Sequence, residues 1–446
     1  MKREADYMKK NKSIEIFFVV LILGILGALA QYGTYHTSEK LDKLPPIRSD
    51  GAGYYAYLPA IFIDHNFEMK TAGQYKHDPY CGMKPYPSTK KLLDKYPVGV
   101  ALLQTPFFLL AHIIATQFDF KPVGYSLPYQ ISNIISALFY MCLGAGFLYA
   151  CIREKCTRRI SLISITLIFF GTNLFHYATY DGFLSHIYTF SMMSVYLWML
   201  LQYQENNFKM LSMWFGFVLG IITMLRIPNA FVGFIFLGLM IQKHALLKFN
   251  ICAFLKEIIL VGLVYFITIL PQLVYWYLIT GKLIVYSYQG EFFNWTHPEI
   301  INFLFSVNKG LFFWSPVILI SVLSFPFFIL RNKLLGSLFF IAILLEIYIC
   351  SSWNCWWFGG SFGCRPFVDM LPFLALPLAS GIEKLLEKIN SSIIILFFGF
   401  LIMVNLTLMY AYGRNYLPDG NVSWASFKVL PEKIIGKRNW EKYFSF

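Results

Sequence analysis

Apolar stretches of about 18 residues or more recur between residues 13 and 412, separated by short polar or basic segments. A helix rising about 1.5 Å per residue needs that length to cross the hydrocarbon core of a bilayer. Inside lipid every backbone N–H and C=O needs an internal partner, so a spanning segment of this kind folds as a helix. A transmembrane barrel would show short segments of alternating polarity, and the sequence has none. Charged residues make up 14% of the chain, against roughly 25% in soluble domains. The fold class is an all-α polytopic membrane protein.

The net charge is +13, which raises nucleic acid as a partner. Most Lys and Arg, however, lie in short segments between apolar runs, where orientation in the membrane accounts for them. With those segments on the cytoplasmic side, about eleven spans follow: 13–35, 127–152, 160–177, 187–203, 211–225, 230–241, 258–278, 311–330, 334–350, 366–382 and 393–412. The N-terminus is then cytoplasmic. The run at 14–32 is too long for the apolar core of a signal peptide and lacks a clear cleavage site. The run at 96–112 is harder to place. If it spans, the basic segment 153–159 falls outside; if it lies in the interface, that segment falls inside. Pro97, Pro106, Gln104 and His112 also make it a poor span, so an interfacial position is expected. The chain divides into a transmembrane module, 1–412, including an outer loop at 37–126, and a tail at 413–446 outside the membrane. The outer loop is too long to be bare and is expected to hold interfacial helices.

Unusual polar residues collect on the outer face. Asp50 stands in Arg48-Ser49-Asp50-Gly51-Ala52-Gly53-Tyr54-Tyr55. It fits a catalytic base or the cap of a helix starting near Gly53. Asp181-Gly182 reads as an ordinary turn or a second acid. Arg226 ends an apolar run and suits lipid headgroups or a phosphate. His176 and His186 sit at helix ends, and Arg365 and Asp369 have the spacing of a helical ion pair. Trp353, Trp356 and Trp357 suit an interfacial aromatic belt or stacking against sugar rings. Gly359-Gly360-Ser361 lacks the lysine of a nucleotide loop. The eight cysteines have no zinc-site spacing. Cys355 and Cys364 share one outer loop, where a disulfide is open to them.

This layout resembles the GT-C superfamily of membrane glycosyltransferases, especially the protein mannosyltransferase and aminoarabinose transferase branch. The resemblance covers most of the chain as a pattern of features. Asp50-Gly51-Ala52-Gly53-Tyr54-Tyr55 is similar to the family's first-loop acid motif, with Gly51 where an Asp-Glu pair is common. Lys95-Tyr96-Pro97-Val98-Gly99 and the run after it resemble its amphipathic segment along the membrane. Asp181 matches an acid between helices 3 and 4, and Arg226-Ile227-Pro228 matches a basic helix end. The resemblance implies transfer of a sugar from a polyprenyl-phosphate donor to a glycan, lipid or protein acceptor, usually with inversion. Asp50 would be the base, Asp181 would orient the acceptor or support a divalent metal, and Arg226, Lys309 or Arg365 would hold the phosphate. Tyr54, His186, Glu291, Trp356 and Trp357 complete the expected substrate-binding set. The sequence itself demands no cofactor and indicates no metal site and no nucleic acid partner. The compact layout suggests a bacterial inner membrane with the site on its periplasmic face, among membrane lipids. A transporter or flippase of a lipid-linked sugar, or a lipid-binding subunit without activity, stands as the alternative.

Overall fold

The structure is a computed structural model that describes residues 2–36, 43–205, 209–246 and 250–435. The start of the expected outer loop (37–42), parts of two expected basic loops (206–208 and 247–249) and the end of the tail (436–446) lie outside the described residues. The chain is an all-α membrane protein. Eight of its described helices are long and apolar enough to cross a bilayer, and shorter apolar helices lie at Ser212–Leu225 and Pro316–Arg331.

The long helix α1 (Lys2–Tyr35) enters first. The following segment folds as α2 (Asp50–Phe62), α3 (Lys70–Gly73) and the antiparallel hairpin β1 (Met83–Pro85) and β2 (Leu92–Asp94), with Met83 opposite Asp94. Next come α4 (Gly99–Gln117), α5 (Leu127–Lys155), α6 (Arg158–Phe170), α7 (Leu174–Thr179), α8 (Ser185–Glu205) and α9 (Lys209–Leu225). A 3-10 turn at Ile227–Val232 leads into α10 (Gly233–Leu246), then α11 (Ile251–Thr280) and α12 (Ile300–Phe305). The rest is α13 (Leu311–Trp314), α14 (Pro316–Leu323), α15 (Phe325–Arg331), α16 (Lys333–Ser352), α17 (Leu371–Lys388), α18 (Ser391–Gly413), α19 (Trp424–Lys428) and α20 (Leu430–Ile435).

The bundle has two distinct ends. At one, Glu15 of α1 accepts a hydrogen bond from Arg153 of α5 at 2.7 Å. At the other, Gln31 donates to the Thr179 carbonyl at 2.6 Å. The segment between α1 and α5 packs on this second end, called here the site end. Val98 N–H ties it to α11 by donating to Gln272 Oε1 at 2.8 Å, and its tyrosines knit it together. Tyr55 donates to Gly124 O (2.7 Å) and Tyr57 to Tyr96 O (2.6 Å), so their rings fill the core while each hydroxyl has a partner.

Several expected helices are interrupted, each for a local reason. The run at 311–330 is three pieces because Pro316 and Pro326 each remove a helical N–H and crowd the preceding turn. The run at 160–177 breaks after Phe170. There Asn405 of α18 donates to the carbonyls of Phe170 (2.9 Å) and Thr172 (2.7 Å), which the broken helix leaves open. The run at 96–112 forms the continuous helix α4. Leu103 O accepts from Tyr140, His112 meets Tyr129, and Gly99 abuts Met224 and Leu225. Helix α4 therefore runs beside the site-end half of α5, while the other half of α5 packs on α1.

Candidate active site

Helix α2 delivers Asp50 to the site, and its glycines explain how. Asp50 is the first residue of the helix, not its cap. The N-cap is Ser49, at φ 47°, and no side chain caps the turn. A helix N-terminus favours a negative charge. A Cβ on Gly51 would lie 2.5 Å from the Phe183 ring, and one on Gly53 would lie 2.3 Å from the Tyr96 ring. Only glycine permits both approaches. With its ring laid over Gly53, Tyr96 donates its hydroxyl to Asp50 Oδ1 at 2.6 Å. The other oxygen, Oδ2, pairs with Arg365 at 3.0 Å. Burial would raise the Asp50 pKa, but the Arg365 guanidinium, the Tyr96 hydroxyl and Lys95 outweigh it and hold the carboxyl below the usual carboxylate range.

Asp50 and Arg365 face a cavity of about 800 Å³, a size suited to a small polar headgroup with part of an apolar chain. At its rim Lys95 and Glu291 pair at 3.0 Å, and Ser287 donates to Lys95 O at 2.8 Å. At its back lie His186 and Arg226. Both are fixed by Asp369, which is fully buried: His186 meets Oδ1 at 3.0 Å, while Arg226 (2.9 Å) and Asn229 (2.8 Å) donate to Oδ2. The helical pair expected between Arg365 and Asp369 does not form. Residues 365–370 are a 3-10 turn, which sends Arg365 to Asp50 and Asp369 to Arg226. Leu225, Ile227, Trp276, Ile284 and Val285 make one side apolar.

Of the residues expected at the site, Asp50, Tyr54, His186, Arg226, Glu291 and Arg365 come together around this cavity. Four do not line it. Asp181 is held by Arg48 (3.1 Å) and His176 (2.9 Å), and Arg48 also binds Tyr35, Pro45 O and Tyr180 O. Burial would raise the Asp181 pKa, but His176 and Arg48 outweigh it and keep the carboxyl low. Its carboxylate is engaged by these partners, and it does not line the cavity. Lys309, at φ 76°, turns its amine inward to Ser361 O and over the rings of Trp314 and Tyr412 (5.4 and 5.3 Å). Burial brings this amine down to about 7, against the opposing pull of Asp419. Trp356 and Trp357 pack edge to face beside the cavity, whose wall is formed instead by their neighbours Trp353, Cys355 and Phe358. Cys355 and Cys364 are both free thiols. Among the described residues no three His, Cys, Asp or Glu side chains form a metal-binding group.

Sequence reasoning missed Lys95, Tyr96, Tyr288 and Glu346, all of which line the cavity. For Glu346 a signal was present, because it is the one acid in the apolar stretch 333–352. No model of a known protein family matches the chain, and no curated protein is similar to it.

Proposed function

We propose that the chain is a GT-C-type glycosyltransferase, which moves a sugar from a polyprenyl-phosphate donor to a hydroxyl or amine acceptor. The observation that carries this reading is the juxtaposition of a carboxylate with two arginines and a lysine around one cavity, a side of which is apolar. A lipid-linked sugar phosphate needs each part: an apolar wall for the lipid, cations for the phosphate and a base for the acceptor.

The steps assign as follows. The acceptor attacks the anomeric carbon and its proton passes to Asp50, while the bond from that carbon to the phosphate oxygen breaks. The polyprenyl phosphate leaves with the bonding electrons, and its charge is met by Arg365, Arg226 and Lys95. Lys95 takes the part first expected of Lys309. Held by Arg365, Asp50 is a weak base. A phosphate that draws Arg365 away frees one Asp50 oxygen and makes it more basic, so the base is armed when the donor binds. No step here requires a metal; a dependence on one is open to assay.

In this reading the bundle contributes about eleven spans, with the N-terminus in the cytoplasm and the site end on the periplasmic face of a bacterial inner membrane. Helix α4 is the interfacial helix, which fits its place beside only the site-end half of α5.

The test supplies the purified protein with labelled polyprenyl-phosphate sugars and candidate acceptors. Transfer is expected, and Asp50→Asn should lower it by about 10²–10⁴-fold. Near wild-type transfer by folded Asp50→Asn removes Asp50 from the role of base. Movement of the lipid across vesicles without transfer identifies a transporter instead, and binding with neither activity identifies a lipid-binding subunit.

A further inference from the structure

The helix α16 carries one acid, Glu346, in an otherwise apolar stretch. A carboxylate in a membrane helix is costly and calls for a partner or a function. Glu346 is 1% exposed and lines the cavity wall with Ile349 and Cys350. Its Oε1 accepts from the Cys350 thiol at 3.0 Å, one turn along the same helix. Among the described residues its buried Oε2 has no hydrogen-bond partner.

The contrast with the neighbouring acid is informative. Asp369 uses both oxygens to join His186, Arg226 and Asn229 from other elements. Among the described residues Glu346 joins no second element through a hydrogen bond; the partner it has there is a weak donor within α16. Arg226 lies within electrostatic reach of Glu346, but the hydrogen bonds it donates run to Asp369 and Pro366 O. A buried acceptor left open costs stability, and Glu346 gives the fold no cross-link in exchange. Because the residue lines the cavity, a rotation of its side chain would present the open oxygen there as a hydrogen-bond acceptor.

We propose that Glu346 reads the group being transferred: Oε2 accepts a hydrogen bond from a hydroxyl or amine of the donor's sugar, so that a sugar-bearing lipid phosphate binds more tightly than the bare one. This rests on the lipid-phosphate-sugar reading above. Arg365, Arg226 and Lys95 then hold the phosphate, which every such donor shares, while Glu346 holds what differs between them.

The test compares binding of bare undecaprenyl phosphate with its glucosyl, mannosyl and 4-aminoarabinosyl forms in nanodiscs. Quenching of protein fluorescence serves as the readout, because Trp276 and Trp353 line the cavity. Wild type should prefer one or more sugar-bearing lipids to the bare phosphate. Glu346→Leu should erase that preference, a loss of about tenfold or more, with affinity for the bare phosphate held within about twofold. Glu346→Gln keeps one acceptor oxygen and should fall between the two; it decides the matter alone if the leucine variant does not fold. Melting temperature should hold or rise in both, whereas a structural glutamate would lower it. Loss of bare and sugar-bearing lipids alike, or no loss, overturns the assignment of Glu346 and leaves the donor reading standing. Failure of wild type to bind any of these lipids overturns both.

Discussion

Asp50 and Asp181 lie at the same end of the bundle, and both are held below the usual carboxylate range. Their surroundings differ in kind. Asp181 is enclosed by Arg48 and His176, and through Arg48 it ties α1 and the segment before α2 to the turn ahead of α8. Asp50 has one charged partner in contact, Arg365, and its side chain keeps 28% exposure towards the cavity. A carboxylate held away from the cavity is out of reach of an acceptor bound there. One whose partner a phosphate can attract becomes available when the substrate arrives. Both carboxylates have a partner on each oxygen; what distinguishes them is that Asp50 lines the cavity and Asp181 does not.

Four substitutions can break or sharpen this contrast. The largest effect is expected at Asp50, where Asn should lower transfer about 10²–10⁴-fold and shift melting little. Asp181→Asn should do the reverse. It leaves the buried Arg48 without its counter-charge, for a stability loss of about 3–5 kcal/mol, while transfer per folded molecule stays near wild type. Denaturant titration beside a transfer assay separates the two, and equal transfer defects would dissolve the contrast.

Lys309→Met is a third, intermediate case. Lysine has an ordinary value of 10.5, and burial brings Lys309 to about 7. Between those values the unfolded chain holds a proton that the folded chain lacks, so stability climbs with pH across that window, by at most about 1.4 kcal/mol per unit. The methionine variant should lose this slope, as read from melting curves at pH 7 to 9.5. An unchanged slope would mean that the amine stays charged in its aromatic surroundings. The smallest effect belongs to Tyr96→Phe. Losing one hydrogen bond to a carboxylate should cost transfer about tenfold. That bond also lowers the Asp50 pKa, so its loss should move the acid limb of kcat/KM to higher pH. A limb that stays in place would assign the titration to another group.

Much of the fold was legible because membrane helices announce themselves by length and polarity. The breaks were less so. Pro316 and Pro326 are visible in the sequence, but the break after Phe170 depends on Asn405, whose amide arrives from a distant helix. The site divides the same way. Asp50 stood out because Gly51, Gly53 and the tyrosines surround it. The spacing of Arg365 and Asp369 allows a helical pair as well as a phosphate site, and it is the 3-10 turn that sends Arg365 to Asp50. Asp181 and Lys309 look as reactive as Asp50 in the sequence, since a polar residue does not record whether its neighbours consume it. Glu346 was overlooked inside an apolar run read only for its length.

The bare backbone at Gly53 has a practical consequence. Tyr96 reaches Asp50 only because no side chain stands between its ring and α2. A single added methyl at position 53 would displace the phenol and alter the acidity of Asp50 without replacing any residue that lines the cavity. The working pH range of the proposed enzyme can thus be tuned from behind the reaction centre, which makes position 53 a natural place to begin engineering it.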